Sequence, residues 1–167
     1  TSAGAGRTTT SASITTSNDV ITFASPTTLG GAVALASTGG NVTFADTLNG
    51  ANTLLITAGA GNVSFTGVVG GNVPLGALRI VSAGNVTATT LSSASFVQNA
   101  GTGTTTFGGA VITTAIAGVD VTNTTLAVNA AVTTGGDGVV TFTQSGATTI
   151  ATAGTIISGG DVTITSA

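Results

Sequence analysis

The chain has 167 residues and a net charge of -3, with Arg7 and Arg79 its only cations and Asp19, Asp46, Asp120, Asp137 and Asp161 its only acids. Lys, Glu, His, Cys, Met, Trp and Tyr are absent, which removes most general acids and bases, activated nucleophiles, soft metal ligands and any disulfide framework together. Two cations make no phosphate-gripping patch, no run of about 20 apolar residues offers a spanning helix, and Phe as the sole aromatic cannot supply the girdles of a membrane barrel.

In chain order, the first motif is Val20-Ile21-Thr22-Phe23, followed by a second strand carrying Val33 and Leu35. The same pair returns as Asn41-Val42-Thr43-Phe44 with Leu54 and Ile56, then as Asn62-Val63-Ser64-Phe65 with Leu78 and Ile80. A fourth copy is Asn85-Val86-Thr87-Ala88, and degenerate ones follow at 104–107, 120–123, 139–142 and 161–164. Steps between the last residues of successive copies are 21, 21, 23, 19, 16, 19 and 22. The step of 16 is the odd one, because Asn123 stands where Phe is expected.

Apolar and polar residues alternate within each copy, as a strand with one face on a core requires. Gly30-Gly31, Asn49-Gly50, Gly70-Gly71 and Gly135-Gly136 fall between strands and suit tight corners with positive φ. Thr, Val, Asn and Gly are poor helix formers, and no 3.6-residue pattern persists. An antiparallel sandwich gives no reason for one motif to recur at one position per repeat; parallel stacking does, because like positions then lie above each other about 4.8 Å apart. The sequence therefore predicts an all-β parallel β-solenoid over 1–167, with about eight coils of about 20 residues and a length near 38 Å. Neither end reads as a cap that would shield a terminal sheet edge, and no initiator Met is present. The expectation is one segment of a longer repetitive protein or filament.

GNVSFTGVVGG at 61–71 and AGNVTATTL at 83–91 resemble the repeats of filamentous-haemagglutinin-like adhesins and related β-strand-repeat surface proteins of bacteria. The resemblance implies a right-handed parallel β-helix, secreted or displayed at the cell surface or in a matrix, without catalytic residues; the chain's own residues offer no ligand cluster that calls for a metal or cofactor. The expected partners are a host or cell surface, or, because neither end reads as a cap, further copies of the chain joined end to end or laterally; two cations and the lack of a long apolar run speak against nucleic acid and membrane insertion.

The repeat register predicts an inward core stack of Phe23, Phe44, Phe65, Phe107 and Phe142. It also predicts an outward ladder of Thr22, Thr43, Ser64, Thr87, Thr106, Thr122, Thr141 and Thr163, with Thr66, Thr89, Thr124, Thr143 and Thr165 as a partial second column. A flat hydroxyl array of this kind suits ice or carbohydrate, although Thr is also an ordinary choice for an exposed strand face. Asp120 and Asp161 are expected in one column about 9.6 Å apart, a separation compatible with inverting glycosidases, but no further polar group supports catalysis. They read better, with Asn41, Asn62 and Asn85, as caps of the turn into each strand. Gly135-Gly136-Asp137-Gly138 is the nearest approach to a calcium-binding repeat and occurs once. Asn41, Asn62, Asn85 and Asn123 each open an Asn-x-Ser/Thr acceptor. Arg79 is expected to face outward as a solvated side chain, with pairing to an acid on a neighbouring molecule as the alternative.

Overall fold

The computed structural model describes residues 6–167. Among them there is no helix, and every strand pairing is parallel. The chain winds through about eight coils of about 21 residues, a β-solenoid.

Each full coil places a strand in three ladders. The first contains Ile21–Phe23, Val42–Phe44, Val63–Phe65, Val86–Ala88, Thr104–Phe107, Thr125–Val128 and Thr148–Ile150. The third contains Ile14–Thr15, Val33–Ala36, Leu54–Thr57, Leu75–Ser82, the end of Leu91–Gln98, Val119–Asn123, Val140–Gln144 and Val162–Thr165. Between them runs a second ladder that the repeated motif does not mark. It passes from Thr8–Thr10 through Thr27–Leu29 and Leu48–Asn49 to Val69, then through the start of Leu91–Gln98 to Val111–Thr113, Val132–Thr134 and Ile156–Ile157. Its strands are short, so sequence alternation over two or three residues hardly distinguishes them from turn.

Burial follows the alternation. In Val42–Phe44 and Val63–Phe65 the outer residues of each triplet are buried and the middle one is partly exposed. In the first ladder Phe23 stacks on Phe44 with ring centroids 4.7 Å apart, and Phe44 on Phe65 at 5.5 Å. Parallel in-register strands force like residues into such columns, and each buried Phe contributes about 1.5–3 kcal/mol of transfer free energy. Phe107 belongs to the same column, since Ala88 pairs with both Phe65 and Phe107.

Phe142 does not, contrary to the expected stack. The Phe107 column continues to Val128 and Ile150, whereas Phe142 lies in the third ladder between Val121 and Ile164. It is fully buried there. The true first-ladder spacings from Phe23 to Ile150 are 21, 21, 23, 19, 21 and 22 residues, and the step of 16 disappears. A coil of 16 residues is too short for three strands and three corners, so Thr125–Val128 supplies the sixth copy instead of the segment at 120–123. Phe96, which lies outside the repeated motif, is also fully buried and meets Phe107 edge to face at 5.4 Å.

The glycines serve two geometries. Gly50, Gly59, Gly70, Gly118 and Gly136 have positive φ, three of them within the predicted corner pairs. Gly30 and Gly31 do not; there the need is close approach between coils, because a Cβ on Gly30 would meet the Ser11 hydroxyl at 2.6 Å.

Candidate functional site

The outward hydroxyl residues form two arrays on different faces. Thr22, Thr43, Ser64, Thr87 and Thr106 stand in register as one column of the first ladder, which then continues to Ala127 and Thr149. Thr122, Thr141 and Thr163 are not its continuation. They lie in the third ladder, where Thr141 and Thr163 share a column with Asp120, and Thr122 shares the neighbouring column with Thr143 and Thr165. The split arises because the Asp120 segment carries the motif's alternation but pairs in the third ladder, while Thr125–Val128 continues the first. Thr66, Thr89 and Thr124 do not present a free second column either, because each hydroxyl donates to a backbone carbonyl, of Phe44, Gly67 and Gly101 respectively.

The Asn residues at the entry to the first ladder form a ladder of their own. The Asn41 side-chain oxygen accepts the backbone N–H of Asn62 at 2.8 Å, that of Asn62 accepts the N–H of Asn85 at 2.8 Å, and that of Asn85 accepts the N–H of Thr104 at 2.8 Å. The Asn62 oxygen also accepts from the Asn85 side-chain amide at 3.1 Å. The expected capping of local turns is thus replaced by bonds from one coil to the next. Asn49 does the same at another corner, accepting from the N–H groups of Asn72 and Val73. Each bond satisfies a corner N–H that no strand partner reaches.

A buried polar cluster that alternation did not reveal lines the turn from the third ladder into the first. The Thr105 hydroxyl donates to the Gln98 side-chain oxygen at 2.7 Å. The Gln144 amide donates to the carbonyl of Val121 and the side-chain oxygen of Asn123, while its own oxygen accepts from the Thr148 hydroxyl. Asn123, read from sequence as a failed Phe position and a glycosylation acceptor, is buried and donates to the carbonyl of Thr125. The signal for this cluster is a Gln or Asn at the last inward position of three successive strands, visible only once the register is known.

The carboxylates do not converge. Asp120 stands in the column of Thr163, and Asp161 lies two residues before it, outside the strand, so the expected Asp120–Asp161 column is not formed. Partial burial raises the pKa of Asp120 above its ordinary value. At Gly135-Gly136-Asp137-Gly138 the Gly138 carbonyl accepts from the hydroxyls of Thr134 and Ser158 and from the N–H of Gly160; the turn is stacked on the next coil by its own backbone. Among the described residues, no group of three or more His, Cys, Asp or Glu is placed to hold a metal ion.

The terminal coils leave apolar positions open. Ile150, Val162 and Ile164 occupy inward columns, yet are 41%, 48% and 43% exposed. At the other end a recess of about 350 Å³ is lined by Ile14, Ile21 and Phe23 among others. Comparison with protein-family models, curated proteins and solved structures finds no match to this chain.

Proposed function

We propose that the chain is a non-catalytic structural segment, a rod or spacer of a secreted or surface-displayed bacterial protein of the filamentous-haemagglutinin-like kind, with adhesion or matrix building as its role. The observation that carries this reading is the stacking of inward apolar residues from coil to coil, Phe23 to Ile150 in the first ladder and Val33 to Val162 in the third, under a surface almost free of charge. Such a body is long, self-similar and extensible. A further coil on either end continues the same columns, with Ile14 of one copy following Ile164 of another, and buries the open residues of both. In a solution of the purified segment, a second copy is the source of that coil.

Electron microscopy with diffraction tests the reading. Rods lengthening with concentration, with an axial repeat near 4.8 Å, are the expected result; isolated particles at every concentration, or turnover of a glycan by the protein, would overturn it.

A second reading, a surface-binding module for ice or carbohydrate, is supported by the five-residue column Thr22, Thr43, Ser64, Thr87 and Thr106. Inhibition of ice recrystallisation that Thr43→Lys and Thr87→Lys abolish would favour it over the rod.

A further inference from the structure

Only two charged residues lie on the strands of the third ladder, Arg79 and Asp120. Both belong to one outward column, which runs Ala34, Leu55, Arg79, Val97, Asp120, Thr141, Thr163. The residues on either side of each in the strand, such as Leu54 and Ile56 or Phe96 and Gln98, are buried, so the column faces solvent. Arg79 and Asp120 stand one coil on either side of Val97, hence about 9.6 Å apart along the axis. Arg79 Nε donates to Asn99 Oδ1 at 2.8 Å, and Asp120 feels burial without a compensating cation.

We propose that this face pairs two copies of the chain with their long axes antiparallel, Arg79 of each copy meeting Asp120 of the other. The two-fold axis lies between the faces and runs along the strand that carries Val97. Under this operation Val97 meets its own copy, Leu55 meets Thr141, and Ala34 meets Thr163. In the neighbouring column, Thr57 meets Thr143 and Ala36 meets Thr165, so a hydroxyl opposes a hydroxyl in one pair and a methyl in the other. The contact is self-complementary, as an isologous interface must be. A two-fold axis along the rod would instead set Arg79 against Arg79 and Asp120 against Asp120; the charges therefore select the antiparallel arrangement.

The extent of overlap fits as well. Val97 lies on the fifth of the eight third-ladder strands, so seven of the eight overlap, giving a footprint of roughly 34 by 17 Å, or about 580 Å² per copy. A standard interface buries about 800 Å² per partner. The pairing is accordingly weak and reversible, and sensitive to its two ion pairs. It does not depend on display at a cell surface or on growth of the rod from its ends.

Sedimentation of the chain from micromolar to millimolar concentration, with two charge-reversal variants, tests the proposal. Arg79→Asp and Asp120→Arg change exposed or partly exposed side chains, and circular dichroism checks that both remain folded. Each alone brings like charges together and is expected to weaken pairing by roughly a hundredfold. An equimolar mixture restores it, because the carboxylate introduced at 79 then faces the guanidinium introduced at 120, and the two native residues face each other. A parent that stays monomeric throughout overturns the proposal. So does an association that neither reversal weakens, or a mixture no better than its components. End-to-end growth unaffected by the reversals would remove the lateral pairing and leave the rod intact.

Discussion

At Asn62 a single residue joins three coils: its backbone N–H donates to the Asn41 side-chain oxygen, and its own side-chain oxygen accepts from the Asn85 N–H. Asn62→Ala removes the acceptor of the exposed Asn85 N–H at the corner, and a loss of about 0.5–1.5 kcal/mol is expected in chemical denaturation. Phe44 illustrates the apolar counterpart, enclosed between two parallel rings. Phe44→Ala is expected to cost about 3–5 kcal/mol and Phe44→Asp to unfold the central coils, whereas Thr43→Lys on the opposite side of the strand leaves the melting temperature nearly unchanged. Asp120 adds a pH dependence. Its folded-state pKa is raised by burial, so the folded state holds the proton more tightly than the unfolded chain does, and ionisation at neutral pH costs stability. That cost disappears as pH falls through the folded-state pKa toward the ordinary aspartate value. In dilute solution Asp120→Asn should therefore melt higher than the parent at pH 7, with the difference shrinking on acidification.

At the scale of the element, the strand motif was legible where it was chemically richest. Val42-Thr43-Phe44 and Val63-Ser64-Phe65 display alternation, a shared Asn and a common spacing, and these place both the strand and its inward side. The Asp120-Val121-Thr122-Asn123 segment shows the same alternation, but all three ladders ask for the same apolar and hydroxyl alternation, so four residues do not specify a face. What resolves the ambiguity is the length of the coil, a property of the whole turn. Thr125–Val128 carries the first-ladder role with Leu126 and Val128 buried, although it lacks the Asn and Phe that marked earlier copies. The second ladder leaves little mark in the sequence because Val69 contributes only a bridge and Leu48–Asn49 only two residues. Val128→Asp consequently should unfold coils six and seven, and Thr122→Lys should not, as thermal melts will show.

Across the whole molecule, stability comes from neighbours, since each coil touches chiefly the coils before and after it. Val162–Thr165 pairs only with Val140–Gln144 and is exposed along its length, whereas Val86–Ala88 pairs on both sides. Amide exchange should thus be fastest in the outer coils and slowest near the centre. The architecture and the hydroxyl-rich exterior were readable from repetition, because a parallel stack writes its period into the sequence. The division of that exterior into two separate arrays was not, because it depends on one register assignment near residue 123. That assignment can be measured directly. The chain has no Cys, so paired spin labels enter cleanly at introduced cysteines. Labels at Thr106 and Ala127, adjacent in one column, should lie about 5 Å apart at the backbone and show strong dipolar broadening, while labels at Thr106 and Thr122, on different ladders, should not. Broadening in the second pair and its absence in the first would contradict the register on which the three-ladder solenoid rests.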